Sequence, residues 1–190
     1  MGKGMENRGS ANRKSQWGFW LVLLAAFILV RLFVFTPVTV NGESMSPTLH
    51  HKDKLLVLKL AGIDRFDIIV FETENDELFV KRVIGLPGDQ VEYINDTLYV
   101  NGKAYEEPYL DAAKKRFKEE YGEEMDFTPD FSLEDLGYDK VPEDAFFVLG
   151  DNRIKSYDSR YGEIGFIPSE KVVGETSVLF WPLDRVQLID

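Results

Sequence analysis

The stretch Asn41-Gly42-Glu43-Ser44-Met45-Ser46-Pro47-Thr48-Leu49 places a serine in a glycine-containing turn, shortly after a long apolar run. Pro47 restricts the backbone just beyond that serine. A serine attacks an amide only when a neighbouring group removes its proton. The interpretation of the chain therefore depends on which residue could act as that base.

The apolar run preceding this stretch covers residues 17–35, WGFWLVLLAAFILVRLFVF, and contains one charged residue, Arg31. At about 1.5 Å per residue such a helix spans roughly 28 Å, close to the thickness of the bilayer hydrocarbon. Arg31 lies near its far end, where it can reach the interface, and Trp17 and Trp20 suit the near interface. The alternatives are a cleaved signal peptide and a buried core helix. No small-x-small cleavage site follows the run, so the sequence favours a retained membrane anchor.

Charge is distributed unevenly around this run. Residues 1–16 carry four basic side chains and one acidic one, while the whole chain has a net charge of −11. Basic residues before the helix place the N-terminus in the cytoplasm. We therefore predict a cytoplasmic tail at 1–16, a transmembrane anchor at 17–35 and an extracytoplasmic domain at 36–190, facing membrane lipids.

Composition also excludes several function classes. An acidic body argues against a nucleic-acid-binding protein, whose body should be basic. The chain has no cysteine and only two histidines, which excludes disulfides and thiolate sites and argues against a histidine-rich metal site. No metal or organic cofactor is predicted.

Beyond Pro37 the sequence pattern becomes that of β structure. Alternating or continuous apolar runs bounded by turn signals predict strands at 53–60, 65–72, 77–86, 90–94, 97–100, 145–149 and 170–181. The Asn101-Gly102 pair is a strong hairpin signal. The predicted fold class is mainly β, with antiparallel sheets, one N-terminal transmembrane helix and a short helical, acidic insertion.

The insertion covers residues 109–140. Leu110, Ala113, Phe117 and Tyr121 form an apolar stripe at helical spacing, which predicts an amphipathic helix from Tyr109 to about Gly122. The acidic, turn-rich segment that follows contains three aromatic residues. We interpret them as attaching the segment to the core rather than as binding groups: Phe127, Phe131 and Tyr138.

The first candidates for the base are His50 and His51, because serine hydrolases commonly use histidine. Reaching Ser44 from there would require the chain to fold sharply back on itself, so we interpret both as exposed turn residues. Lys81 is the better candidate, because strand alternation places it between two apolar neighbours and burial lowers a lysine pKa. A pKa near 8 corresponds to about 3 kcal/mol in favour of the neutral amine. The alternative is an ordinary solvated strand lysine. Arg82 faces the other way and can hold charge pairs.

Three motifs occur in order after the apolar run. They are Gly42-Glu43-Ser44-Met45-Ser46-Pro47-Thr48-Leu49, then Lys81-Arg82-Val83-Ile84-Gly85-Leu86-Pro87-Gly88-Asp89, then Gly150-Asp151-Asn152-Arg153 with Ser156 and Asp158-Ser159-Arg160. Together they resemble the type I signal (leader) peptidases, and the single anchor resembles the arrangement in Gram-positive bacteria. The resemblance spans roughly residues 17–182 and matches the insertion only weakly. It implies the signal-peptidase-like, mostly antiparallel β fold.

The resemblance also implies residue roles. Ser44 is implied to be the nucleophile and Lys81 the general base of a Ser–Lys dyad. Four residues of the third motif are implied to support the lysine: Ser156 through a hydrogen bond to its amine, Asp158 and Arg160 as an ion pair, and Asp151 as a polar anchor of the loop. Without the other motifs, Gly-Asp-Asn would be an ordinary turn and Asp158 with Arg160 a surface pair.

Two further positions concern the substrate cleft. Met45 matches a position that lines the cleft. Gly42 stands where Gram-negative relatives have a serine whose hydroxyl helps to bind the oxyanion, so this donor is missing here. The backbone N–H of Ser44 remains, and the second donor is left open.

The implied function is a membrane-bound serine endopeptidase that removes signal peptides from secretory preproteins at small-x-small sites such as Ala-x-Ala. Two rivals remain. The self-cleaving Ser–Lys repressors have a DNA-binding domain and no anchor, the reverse of this chain. An anchored β module that binds precursors without cutting them is opposed by the presence of both Ser44 and Lys81. The eukaryotic Ser–His signal peptidases are disfavoured because position 81 is lysine.

Overall fold

The computed structural model describes residues 9–189, with the backbone alone described at 9–15, 30 and 32. The chain forms two compact units, Met1–Thr36 and Pro37–Asp190. The predicted cytoplasmic tail at 1–16 therefore lies partly outside the described residues.

The first unit contains helix α1 (Gly9–Phe33). Its described apolar side chains are exposed, Trp17 and Phe27 by 68% and 67%. Near its end Arg31 donates from Nη1 to Thr36 Oγ1 at 3.2 Å and to the Phe35 carbonyl at 3.4 Å. Within the described part of the chain, no helix combines the length and the apolar character needed to cross a membrane. The anchor at 17–35 stays a prediction.

Strands are the main regular structure of the second unit. Their bounds are β1 (Phe35–Thr39), β2 (Lys54–Leu58), β3 (Ile68–Glu72), β4 (Leu78–Gly85), β5 (Val91–Ile94), β6 (Thr97–Val100), β7 (Lys103–Tyr105), β8 (Phe131–Ser132), β9 (Ala145–Leu149), β10 (Ile167–Pro168), β11 (Val172–Trp181) and β12 (Gln187–Leu188). An eight-stranded sheet has the order β1-β2-β11-β3-β4-β9-β10, with β12 beside β11. A four-stranded sheet has the order β7-β6-β5-β8. Every pairing whose register is described is antiparallel, which confirms the predicted mainly β fold.

The insertion packs onto the smaller sheet. Its helix α2 (Asp111–Tyr121) ends at Gly122, whose φ of 103° suits glycine. Leu110, Phe117 and Phe127 form a small buried cluster. Two of the three predicted aromatic residues attach the segment to residues outside it: the ring centroids of Phe131 and Tyr93 lie 5.2 Å apart, and those of Tyr138 and Phe166 lie 4.8 Å apart. Phe127 packs instead on Phe117, within the insertion.

Strand β4 is an interior strand of the larger sheet, between β3 and β9, and positions the site. Its residues from Val80 to Gly85 are all buried. Residues Leu78 to Arg82 pair with β3, and residues Arg82 to Gly85 pair with β9. Since β9 ends at Leu149 opposite Arg82, the loop that follows begins directly beside the paired part of β4.

Candidate active site

The serine turn connects β1 to β2 and is closed by its own backbone. Val40 N–H donates to the Asp53 carbonyl at 2.8 Å, and Lys52 N–H donates to the Val40 carbonyl at 2.9 Å. Met45 and Leu49 are buried in the main apolar core, with 1% and 0% of their surface exposed. These apolar anchors fix the turn on the sheet, while Ser44 beside them stays partly accessible.

Ser44 lies against Lys81. The lysine Nζ donates to Ser44 Oγ at 2.8 Å and to the Val80 carbonyl at 3.2 Å. Only 3% of Lys81 is exposed, and its Nζ lies 5.2 Å from the centre of the Phe79 ring. The structure thus joins two residues that are 37 positions apart in the chain.

Burial is the main influence on the lysine amine. It lowers the pKa of Lys81 from 10.5 to about 8, against the opposing negative charges of Asp158 and Asp151. At pH 7 about a tenth of such amines are neutral, compared with roughly 0.03% of unperturbed ones. The geometry and the pKa together provide a proton acceptor at hydrogen-bond distance from a hydroxyl.

The loop after β9, here the 150–160 loop, is joined both to the serine turn and to β4. Asp151 accepts two hydrogen bonds from the buried Arg82, at 3.0 and 2.9 Å, and one from Thr48 Oγ1 at 2.6 Å. Asn152 N–H donates to the Ser44 carbonyl at 3.0 Å. Asn152 Nδ2 also donates to the Glu43 carbonyl at 3.1 Å. The predicted anchor Asp151 therefore lies between the strand that carries Lys81 and the turn that carries Ser44.

Asp158 and Arg160 form a two-bond ion pair, from Nε to Oδ1 at 2.8 Å and from Nη2 to Oδ2 at 2.9 Å. Asp158 is completely buried, and its Oδ2 also accepts from the Gly150 N–H at 3.0 Å. The buried Asp158 carboxylate binds both Arg160 and the Gly150 N–H, so the pair stabilises the bend of the 150–160 loop. It is not the exposed surface pair of the alternative interpretation.

Ser156 departs from expectation. The implied hydrogen bond between its hydroxyl and the Lys81 amine is not formed, and the buried Ser156 Oγ has no partner among the described residues. The amine is directed instead at Ser44 Oγ and the Val80 carbonyl. Ser156 Oγ packs against Gly150, where an added Cβ would collide with that hydroxyl and with the Ser44 carbonyl. Position 150 therefore requires glycine.

The histidine turn also differs from expectation. The chain does fold sharply back, because Asp53 Oδ2 accepts from the His50 N–H at 2.8 Å and bends the turn. His51 Nδ1 then accepts from the Gly42 N–H at 3.3 Å. His50 is half-buried and lies 3.6 Å from Glu43, while His51 is exposed as predicted. The Ser44 hydroxyl nevertheless bonds to Lys81 and not to a histidine.

A cleft of about 740 Å³ opens over Ser44 and Lys81. One side is formed by residues 37–41, and the other by residues 77–81 in and just before the part of β4 that does not pair with β9. The two predicted cleft residues, Gly42 and Met45, both line it. The described residues contain no group of three or more His, Asp or Glu side chains that could hold a metal ion.

The comparisons with known proteins agree on one family. The family model described as "Signal peptidase, peptidase S26" matches residues 14–181. Signal peptidase I of Bacillus caldolyticus is 44% identical over 171 residues, covering 87% of this chain and 90% of that protein. Signal peptidase I S of Bacillus subtilis is 39% identical over 190 residues, covering 96% and 98%. A solved signal peptidase I of Enterococcus faecalis is 43% identical with a TM-score of 0.55, covering 60% of this chain and 97% of that one.

Proposed function

The chain belongs to the peptidase S26 family of signal peptidases, and we propose that it removes signal peptides from secretory preproteins by a Ser–Lys dyad at a membrane surface. The observation that carries the mechanism is the 2.8 Å hydrogen bond between Lys81 Nζ and Ser44 Oγ in a buried setting. The similarity to signal peptidases supports the peptidase activity, and the geometry supports the assignment of the two residues.

In the proposed reaction neutral Lys81 takes the proton of Ser44 as its oxygen attacks the scissile carbonyl. The ammonium so formed gives that proton to the leaving amine, and the C–N bond breaks to leave an acyl ester on Ser44. Water, activated by the neutral amine, then hydrolyses the ester. Lys81 accepts and donates the proton in each step. The proposed reaction includes no cofactor.

Charge that develops on the carbonyl oxygen requires hydrogen-bond donors. We propose the Ser44 backbone N–H as one of them. Gly42 has no hydroxyl to contribute, and its own N–H donates to His51. Each such donor contributes about 3 kcal/mol in acyl-transfer enzymes.

The 150–160 loop supports the dyad in this proposal. Asp151 and the Asp158–Arg160 pair hold the loop against the serine turn, and both carboxylates raise the lysine pKa against the larger effect of burial. The Ser156 hydroxyl, buried beside Gly150, is proposed to orient the lysine amine when a substrate occupies the site.

The cleft suits an extended peptide. The first half of β4 pairs with β3 on one side and is not paired with β9 on the other, so a substrate segment can add there as a strand. Val38, Val40, Phe79 and Val80 give the cleft an apolar lining. We propose that this lining accepts small side chains before the scissile bond.

The test of specificity uses the full-length protein in detergent with lipid and a precursor that carries one Ala-x-Ala site. We expect a single cut after the second alanine, located by mass spectrometry of both products. A matched precursor with phenylalanine in place of that alanine should be cut at least about 100-fold more slowly, because the cleft is proposed to accept only small side chains at that position. Cutting both precursors equally would contradict the small-x-small assignment, and cutting neither would favour the precursor-binding module.

We further propose that residues 17–35 anchor the protein, with the N-terminus in the cytoplasm and the β unit outside. Anchoring would hold enzyme and tethered precursor in one plane and raise their effective concentration. Membranes of the expressing cells should retain the full chain after alkaline extraction, and protease added to the outer face should digest the β unit. Release by alkali, or protection of the β unit, would contradict the proposed topology.

A further inference from the structure

A buried ion pair connects the segment just before the insertion to the 150–160 loop. Arg153 is on that loop, yet its fully buried guanidinium reaches into the smaller sheet. Its Nη2 donates to Glu107 Oε1 at 2.7 Å, and its Nη1 donates to Tyr93 OH at 2.5 Å and to Thr128 Oγ1 at 3.2 Å. The partners belong to β5, to the residues just before the insertion and to the segment after α2.

Glu107 is the centre of this network. Its Oε1 accepts from the hydroxyls of Tyr93 and Tyr109, at 2.7 and 2.5 Å, as well as from Arg153. Burial alone would raise the pKa of Glu107, but the Arg153 charge and these hydrogen bonds hold it below its ordinary value. Glu107 is therefore an ionised, buried carboxylate that matches a buried guanidinium.

The same arginine holds the part of the loop that touches the dyad. Arg153 Nε donates to the Gly150 carbonyl at 3.1 Å, and the Arg153 carbonyl accepts from Arg160 Nη2 at 2.8 Å. Gly150 packs directly on the Ser44 carbonyl, and Arg160 holds Asp158. A second contact links the insertion to β4: the Arg82 guanidinium lies 3.9 Å from the centre of the Tyr109 ring.

We propose that Glu107, with the insertion residues that share its network, is a positioning residue for the dyad: through Arg153 it fixes the Gly150 peptide against Ser44 and keeps the 150–160 loop closed over Lys81. This rests on the proposed function and assigns a role to the insertion. Such a residue touches neither substrate nor reacting atoms. It acts on geometry, so its loss should slow turnover more than it weakens substrate binding.

The first test compares Glu107→Gln with Glu106→Gln, its exposed neighbour in the chain. We expect Glu107→Gln to lower kcat about 10- to 100-fold with KM changed less than about threefold. The acid limb of the pH–rate profile of Glu107→Gln should move to higher pH. An open loop admits water to Lys81 while Asp151 and Asp158 still face the amine, so the pKa of Lys81 rises. Glu106→Gln should match the wild type in kcat, in KM and in the position of the acid limb. Wild-type kcat and pH profile in folded Glu107→Gln would overturn the proposal.

A second variant separates positioning from stability, because Glu107→Gln leaves a buried arginine charge without its partner. The double variant Glu107→Met with Arg153→Met removes both charges and should recover thermal stability. Positioning predicts that kcat stays low in this stable protein, since the Gly150 carbonyl has lost its donor. Recovery of kcat together with stability would show a structural role only and would overturn the proposal.

A third readout does not depend on turnover. The pKa of the Lys81 amine is measured by NMR on protein labelled with ¹⁵N at lysine Nζ, with Lys81→Met identifying the signal. We expect the pKa in Glu107→Gln to rise from the wild-type value towards 10.5, and that in Glu106→Gln to stay unchanged. If the pKa of Lys81 in Glu107→Gln equals the wild-type pKa, the positioning role is contradicted, whether or not the wild type cuts precursors. If the wild type cuts no precursor, that finding by itself rejects only the proposed function.

Discussion

Replacing Lys81 with methionine is expected to reduce precursor cleavage at least about 1,000-fold, because the amine that lies within hydrogen-bond distance of the Ser44 hydroxyl is removed. Methionine keeps the length and apolar contacts of the lysine stem, so the Phe79 side of the site should stay packed. The measurement is the initial rate at a fixed site, compared with Lys115→Ala, whose side chain is 79% exposed on α2. Retention of more than about a tenth of the activity would place the base elsewhere.

The same variant should be at least as stable as the wild type at pH 7. Lys81 has a pKa of about 8 in the folded chain and an ordinary value of 10.5 when unfolded. Below pH 8 the folded protein therefore bears a penalty that approaches about 3 kcal/mol, at 1.36 kcal/mol per pKa unit. Between about 8 and 10.5 the unfolded chain binds more protons, so wild-type stability rises with pH through that window. The stability gap between the Lys81→Met variant and the wild type should narrow from pH 7 to pH 10. A variant that is less stable at pH 7 would contradict burial of the amine.

The pH dependence of the wild-type rate follows from the same pKa. Cleavage requires the neutral amine, so the rate should rise about tenfold per pH unit below 8 and level off above it. A histidine base would give an acid limb near 6.5 instead. The profile thus separates Lys81 from His51, which lies nearby and contacts Gly42. An acid limb that disappears in His51→Ala would contradict the lysine mechanism.

Much of the fold can be predicted from local patterns. The strand predicted at 145–149 is β9, and those predicted at 77–86 and 97–100 correspond to β4 and β6 within one residue at each end. Period-two alternation and turn residues determine such elements locally. The insertion helix, predicted at 109–122, runs from Asp111 to Tyr121. These features require no knowledge of tertiary contacts.

The site is less accessible to local reasoning. No spacing rule brings Ser44 to Lys81, and the motif resemblance supplies that pair. Glu107 stands beside Glu106 in an acidic segment and has no local sign of burial, because its partner Arg153 is 46 positions away. The sequence indicates that His51 could reach Ser44 only through a sharp fold of the chain. Such a fold is present: Asp53 Oδ2 accepts from the His50 N–H, and His51 contacts Gly42. Contacts between residues far apart in the chain determine the burial of Glu107, and such contacts cannot be predicted from local sequence or composition.

Replacing Ser44 with alanine is expected to lower cleavage at least about 10,000-fold, since no acyl ester can form without the hydroxyl. The matched control is Ser46→Ala, which removes a hydroxyl two residues away in the same turn and should cut normally. Because nucleophile and base act as one unit, the double variant Ser44→Ala with Lys81→Met should be no slower than Ser44→Ala alone. If the fold losses of the two single variants multiply in the double variant, Lys81 acts on something other than Ser44. Loss of activity in Ser46→Ala with activity retained in Ser44→Ala would move the nucleophile to position 46, where the 2.8 Å contact with Lys81 Nζ is not made.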